Sequence, residues 1–500
     1  MNPRFPTDQY TRNTVFTGSA QLVRLVVVLW LTPILISGLG LEGYGVWVLI
    51  FALVEYSEFL TFGIGTSFGR FIAEAHGAGD SQEVSRIVST GLLFYLGISA
   101  LIFLLWYLGL PLWKRVLEAV IEPGFQNEFL LILIAYILRN LGTPFRALIN
   151  GLQRMEFTNA VLVIFQVAIA VGSIYALNRG GGIRELAIVW VACSALSLIL
   201  LLIIGYALYP SLRIAPRNVS RKTFNGLRSF GIKVFAVSLA ETGNRTLDKI
   251  ILGVVPGAGG VAAAALYDVG MKLAGLLMMV PAAVIPPLVP AIATDPSPER
   301  RGLVLDKGLH LLGVLAIPGA IILIAHAPDI VAVWAGIEDV TTGGMVARIL
   351  VAATLAFVIS NLFSAVARGL GDPTAEMQYS IFKLGFNLVL GVIFALLFGL
   401  IGVAMATLIS SILAYGGLLI TLIRRFQLLS FRRLVTILLF WPGLIALCTA
   451  ISGKVLFQGA GSGWSHLLPA LFFEYGLTVL LLFATGYLKP LLPSRPSGSP

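Results

Sequence analysis

The residues able to do chemistry in this chain are charges in unexpected places. Seven bases (Arg24, Arg139, Arg146, Arg245, Lys249, Lys272 and Lys383) and six acids (Glu55, Glu58, Glu241, Asp248, Asp268 and Glu474) fall inside long apolar runs. A charge at that position is costly unless it faces protein or a wetted cavity. On a helix, Thr14, Thr17, Gln21 and Arg24 line one side, with only apolar residues opposite. Arg139 and Arg146 share a face two turns apart, and Lys383 is followed one turn on by Asn387. None of these four cations has an acidic residue on its own run. Arg146 lies near the end of its run, where snorkelling to the interface competes with a cavity role.

A cavity lined by such cations suits an anionic ligand, because an Arg fork grips phosphate bidentately and Lys acts as a point charge. Arg24, Arg139, Arg146, Arg245, Lys249 and Lys383 are the candidate substrate contacts. Glu55 and Glu58, three residues apart on one face, suit a proton or cation coupling site, or pairing with Arg24; the spacing does not separate the two. Glu241, Arg245, Asp248 and Lys249 fall in one helical sector about 100° wide. Glu241–Arg245 and Asp268–Lys272 are i,i+4 pairs, which fits local charge pairing as well as a polar cavity wall.

Catalytic signatures are missing. The four histidines, His76, His310, His326 and His466, sit in expected loops or near run ends, and no two have ligand spacing. No HExxH, GxSxG or Walker A sequence occurs, and Gly63-Ile64-Gly65-Thr66-Ser67-Phe68 is not a dinucleotide fingerprint. No cofactor or metal is expected, and no ATP-driven pump within this chain.

The elements that position these charges are membrane helices. Of 500 residues, 58% are hydrophobic and 12% charged, with a mean hydropathy of +0.93. Ordinary soluble domains carry about 25% charged residues. This composition excludes a soluble enzyme, a nucleic-acid-binding protein and a disordered chain. Two cysteines, Cys193 and Cys448, exclude a disulfide scaffold. Continuous apolar runs of about 20 residues indicate helices rather than barrel strands. Fourteen spans follow, at residues 14–38, 43–66, 89–110, 129–150, 157–178, 186–208, 230–254, 262–287, 308–327, 346–368, 377–397, 399–421, 435–456 and 467–488. The first contains Arg24 and no cleavage site follows it, so a cleavable signal peptide is not expected.

The formal charge of +10 mostly encodes orientation. With a cytoplasmic N-terminus, 21 Lys and Arg fall in cytoplasmic segments and five in external ones. That places both termini inside. Residues 145–152 (FRALINGL) align with 363–370 (FSAVARGL), and Tyr44 aligns with Tyr267, as in an internal duplication. The expected organisation is an N-terminal lobe at 1–212, a basic linker at 213–229 and a second six-helix lobe at 230–425. Two extra spans at 426–488 and a disordered tail at 489–500 complete it. Two-lobed transporters hold their substrate between lobes near the midplane.

Particular segments resemble a known family. Gly38-Leu39-Gly40-Leu41-Glu42-Gly43-Tyr44-Gly45-Val46-Trp47, then Phe62-Gly63-Ile64-Gly65-Thr66-Ser67, Arg70-Phe71-Ile72-Ala73-Glu74 and Gly79-Asp80, look like the N-terminal signature of Wzx-like polysaccharide biosynthesis flippases. Leu247-Asp248-Lys249-Ile250-Ile251-Leu252-Gly253, Ala265-Leu266-Tyr267-Asp268 and Lys272-Leu273 are similar to that family's seventh and eighth helices. The resemblance runs to about residue 425 and specifies fold better than substrate. It implies membership of the multidrug, oligosaccharidyl-lipid and polysaccharide exporter superfamily, with a V-shaped, all-α, two-lobed fold and alternating access.

The resemblance also implies translocation of a polyprenyl-pyrophosphate-linked oligosaccharide across a bacterial cytoplasmic membrane. H+ or Na+ would drive it, and a polysaccharide polymerase and glycosyltransferases would be partners. A peptidoglycan-precursor flippase and a multidrug or cation antiporter of the same superfamily remain alternatives. A membrane glycosyltransferase or ligase is disfavoured by the short external loops.

Overall fold

A computed structural model describes residues 7–61, 64–118, 126–255, 257, 259–281, 284–285, 297–369, 374–426, 431–456 and 463–491. Among these residues all regular structure is helical. The helices are α1 (Thr7–Glu55), α2 (Gly65–Gly77), α3 (Ser81–Glu118), α4 (Gln126–Leu141), α5 (Thr143–Gly151), α6 (Met155–Asn178), α7 (Ile183–Leu208) and α8 (Arg221–Val254). They continue with α9 (Gly260–Gly275), α10 (Pro298–Ala335), α11 (Val340–Gly369) and α12 (Thr374–Phe426). Then come α13 (Phe431–Val435), a π turn at Thr436–Phe440, α14 (Trp441–Leu456) and α15 (Trp464–Ala484).

Eleven helical segments among the described residues are long and apolar enough to cross a membrane. Two of these are each two helices joined at a glycine. Gly40 in α1 has φ 72° and Gly399 in α12 has φ 59°, backbone values that L-residues avoid. The expected first and second spans, and eleventh and twelfth, are therefore continuous in hydrogen bonding but kinked. α8 is long enough but is not among the eleven, because charged residues interrupt its apolar run. With it, the segments correspond to the fourteen spans read from the sequence. Large apolar side chains point outward, as Phe472 (75% exposed) and Leu108 (65%) do. Surfaces of this kind belong in hydrocarbon. The protein is a multi-pass membrane protein.

By packing, the chain forms two units: Met1–Val254 with Gly260–Ala265, and Val255–Gly259 with Leu266–Pro500. In the first, α1 packs on α6, α4 and α6 on α7, α2 on α5, and α8 on α1, α2 and α3. The helix of the expected seventh span thus belongs to the first unit, although the sequence placed it at the start of the second lobe. The expected linker is also more ordered than its composition suggests. It becomes helical at Arg221 and is strapped to α3: Arg213 N–H donates to Ser85 Oγ (3.2 Å), and Ser220 N–H donates to Thr90 Oγ1 (3.1 Å). In the second unit α11 packs on α10 and α12, and α14 and α15 pack on each other and on α10.

Candidate functional site: a charged cluster in the first unit

Two departures from regular helix shape this site. α1 ends at Glu55 and the chain tightens into a 3-10 turn, Tyr56–Thr61. Glu55 and Glu58, expected on one face of a continuous helix, therefore lie on either side of a change in winding. The expected fourth span is likewise broken at Gly142. Pro144, near the start of α5, has no N–H to continue the ladder of α4. Arg139 closes α4 and Arg146 lies on α5, so the break falls between the two arginines.

Arg24, Glu55, Glu58 and Arg139 have exposed side chains, and Arg146 is half-buried. Arg139 lies within electrostatic range of Arg146, Arg24, Glu55 and Glu58. Arg146 lies within range of Tyr95 and Glu58. Yet none of the three arginines makes a direct ion pair among the described residues. Three cations thus face two carboxylates and keep their donors open. Glu58 is held by the Tyr136 hydroxyl, which donates to Oε2 at 2.9 Å, and more weakly by Thr61 Oγ1 at 3.4 Å from Oε1. The Arg139 guanidinium lies over the Phe165 ring, 5.3 Å from its centroid. Phe165 in turn belongs to an aromatic cluster with Trp190, Phe51 and Trp47. Tyr136, Thr61 and Phe165 were not singled out from the sequence. Hydroxyls and aromatic rings are ordinary in apolar runs, and only the fold brings them to the charges.

The other candidates are placed differently. The side chains of Glu241 and Arg245 lie outside the described residues. Asp248 is buried and in electrostatic range of Tyr56, whose side chain hydrogen-bonds Thr246; Lys249 is half-buried. In the second unit Lys272 Nζ meets Asp268 Oδ2 at 3.0 Å, the local pair its spacing allows. Lys383 is buried, with Nζ 5.4 Å from the Tyr415 ring centroid. Asn387, one turn on, is fully buried and accepts from Ser410 Oγ at 3.1 Å. His310 and His326, expected near span ends, both lie within α10 and are buried.

The spans of the first unit thus carry three arginines with no direct ion pair among the described residues. A family model described as "Polysaccharide biosynthesis protein" matches residues 10–294, and one described as "MatE" matches residues 234–393. The chain belongs to the polysaccharide biosynthesis protein family, within the multidrug, oligosaccharidyl-lipid and polysaccharide exporter superfamily. It is 23% identical over 421 residues to "Probable flippase AglR" of Haloferax volcanii, covering 81% of this chain and 83% of that protein. Its fold is similar to that of "Lipid II flippase MurJ, inward closed conformation", with a TM-score of 0.74, 15% identity, and 97% and 100% of the two chains covered. It is also similar to an inward-facing multidrug resistance MATE family transporter, with a TM-score of 0.62, 17% identity, and 82% and 94% covered.

Proposed function

We propose that the protein is a flippase for a polyprenyl-pyrophosphate-linked oligosaccharide, working by ion-gradient-driven alternating access in a bacterial cytoplasmic membrane with both termini inside. The observation that carries this reading is the first-unit cluster. Arg24, Arg139 and Arg146 present guanidinium forks at span depth without carboxylates closed onto them. Such forks match the oxygens of a pyrophosphate. Glu55 and Glu58 keep the arginines in a balancing field while no ligand is bound, and they are candidates for the coupling ion. Membership of the polysaccharide biosynthesis family and the likeness to a probable flippase support the substrate class. Lys383, Lys249 and Arg245 are proposed to contribute positive charge elsewhere along the path. A polymerase and glycosyltransferases are the proposed partners.

The test is reconstitution. Full-length protein in liposomes should move a lipid-linked oligosaccharide to the opposite leaflet, and the Arg24→Ala and Arg139→Ala proteins should not. Movement of organic cations by the wild type, with no lipid-linked sugar moved, would assign it to multidrug export instead.

A further inference from the structure

Within the second unit a buried acid–base contact joins α15 to α10. His326, on α10, lies with Nε2 2.9 Å from Glu474 Oε1 on α15, 148 residues away in sequence. Glu474 is fully buried and sits midway along its span; His326 is 5% exposed. Oε2 of Glu474 has no hydrogen-bond partner. Gly453 of α14 packs so closely that a Cβ there would overlap the carboxyl group. The other ring nitrogen, Nδ1, faces Asp329 Oδ2 at 3.6 Å, and that carboxylate is 58% exposed. The imidazole thus stands between an exposed acid and a fully buried one.

Three further groups surround the contact. Thr478 Oγ1 donates to the Glu474 carbonyl at 2.7 Å and lies 2.6 Å from Thr449 Oγ1. On α11, Arg348 Nε donates to the Ile324 carbonyl at 3.0 Å, two residues before His326. No other charged group is seen to pair with these residues among those described.

We propose that Asp329, His326 and Glu474 form a proton relay that loads a binding site at Glu474. An unshared carboxylate in a fully buried position is strongly disfavoured. A pair holding one proton has no net charge, whether written as carboxylic acid with imidazole or carboxylate with imidazolium. From the proton-poor pair, a carboxylate beside an imidazole protonated only at Nε2, a proton taken from solvent by Asp329 is accepted at Nδ1 while Nε2 passes its own proton to Oε1. The product is a neutral acid beside a neutral imidazole that carries its proton on Nδ1, and the reverse step unloads the site. Oε2, with no partner, is an open position for the carboxyl proton. The neutral and charged forms favour different packing of α15 on α10, so proton binding acts on the C-terminal helix pair. As the coupling site of the flippase this rests on the function proposed above; as a proton-binding site it does not.

Infrared difference spectra of the full-length protein in lipid, taken across a pH step, test the site directly. The wild type should show a protonated-carboxyl C=O band that is lost in Glu474→Gln and displaced in His326→Gln. In Asp329→Asn the band should persist, while its deuterium exchange slows at least several-fold. Exchanging the two residues, His326→Glu with Glu474→His, should restore a titrating band. The same band in Glu474→Gln would overturn the proposal. If that variant does not fold, an unchanged exchange rate in Asp329→Asn would overturn it. In liposomes, wild-type flipping should respond to an imposed pH gradient and Glu474→Gln flipping should not. A wild type that titrates at Glu474 but flips no lipid-linked sugar would count against the proposed function and leave the proton site standing.

Discussion

The two units treat the same chemical groups in opposite ways. In the first, Arg24, Glu55, Glu58 and Arg139 are exposed and closed into no direct ion pair. In the second, three buried acids are closed into pairs: Asp268 with Lys272 at 3.0 Å, Glu474 with His326 at 2.9 Å, and Asp306 with Arg433 at 3.0 Å. A buried pair adds little net stability, but breaking it leaves an uncompensated charge. An exposed group at span depth keeps its full capacity for a ligand. Substitutions in the first unit should therefore change transport at constant stability, and those in the second should change stability first.

The largest effect is expected at Arg24 and Arg139. Each charge-assisted contact to a phosphate is worth about 1.5–3 kcal/mol, or roughly ten- to a hundredfold in ligand affinity. Arg24→Ala and Arg139→Ala should abolish surface polysaccharide while membrane level and thermal midpoint stay at wild-type values. Arg24→Lys should retain more export than Arg24→Ala. Normal export in both alanine variants would erase the distinction between the units.

The second unit supplies the reverse expectation. Glu474→Ala leaves His326 facing a void in the core and should cost about 3–5 kcal/mol, the usual penalty for breaking a buried pair. Lys272→Met leaves Asp268 without its ion pair, and a loss of about 1–3 kcal/mol is expected. Gly453→Ala forces a methyl group into the Glu474 carboxyl and should cost about 1–3 kcal/mol by overpacking. Thermal melts in detergent would rank the three. Stability equal to wild type in all of them would show that burial does not separate the units.

The difference between the units also sets what the sequence could disclose. Spans are one-dimensional facts, so the helices were legible. The i,i+4 spacing of Asp268 and Lys272 allowed a pair or a cavity wall, and the fold makes the pair. The tightening at Tyr56–Thr61 was not legible, because YSEFLT continues an apolar run without a breaker until Gly63. His326 and Glu474 meet across 148 residues, and nothing local to either indicates the other. The aligned segments fare better as a pair: α5 ends at Gly151 and α11 at Gly369, and Tyr44 and Tyr267 are 0% and 1% exposed. Those equivalent positions agree with a duplication, although the packing of α8 does not follow its boundary.

One exposed acid of the second unit tests whether exposure alone marks function. Asp339 precedes α11 and accepts the Thr342 N–H at 3.1 Å as a helix cap. That backbone bond, and then the Thr342 hydroxyl, hold its carboxyl below the usual carboxylate range. A depressed folded value means the cap stabilises above the unfolded value, and the contribution fades as pH falls through the folded one. Asp339→Ala should cost about 0.5–2 kcal/mol at neutral pH, with the gap to wild type narrowing in acid melts. Asp339→Asn keeps an acceptor for the cap and should lose less at neutral pH, and its gap should also narrow in acid, because it is the wild-type carboxylate that titrates. Neither substitution should alter export. Glu58→Gln, which keeps the acceptor for Tyr136 but removes the charge facing Arg139 and Arg146, should alter it. Loss of export in Asp339→Asn would mean that an exposed carboxylate matters wherever it stands. Retention there, with loss in Glu58→Gln, would mean that what matters is standing among open arginines.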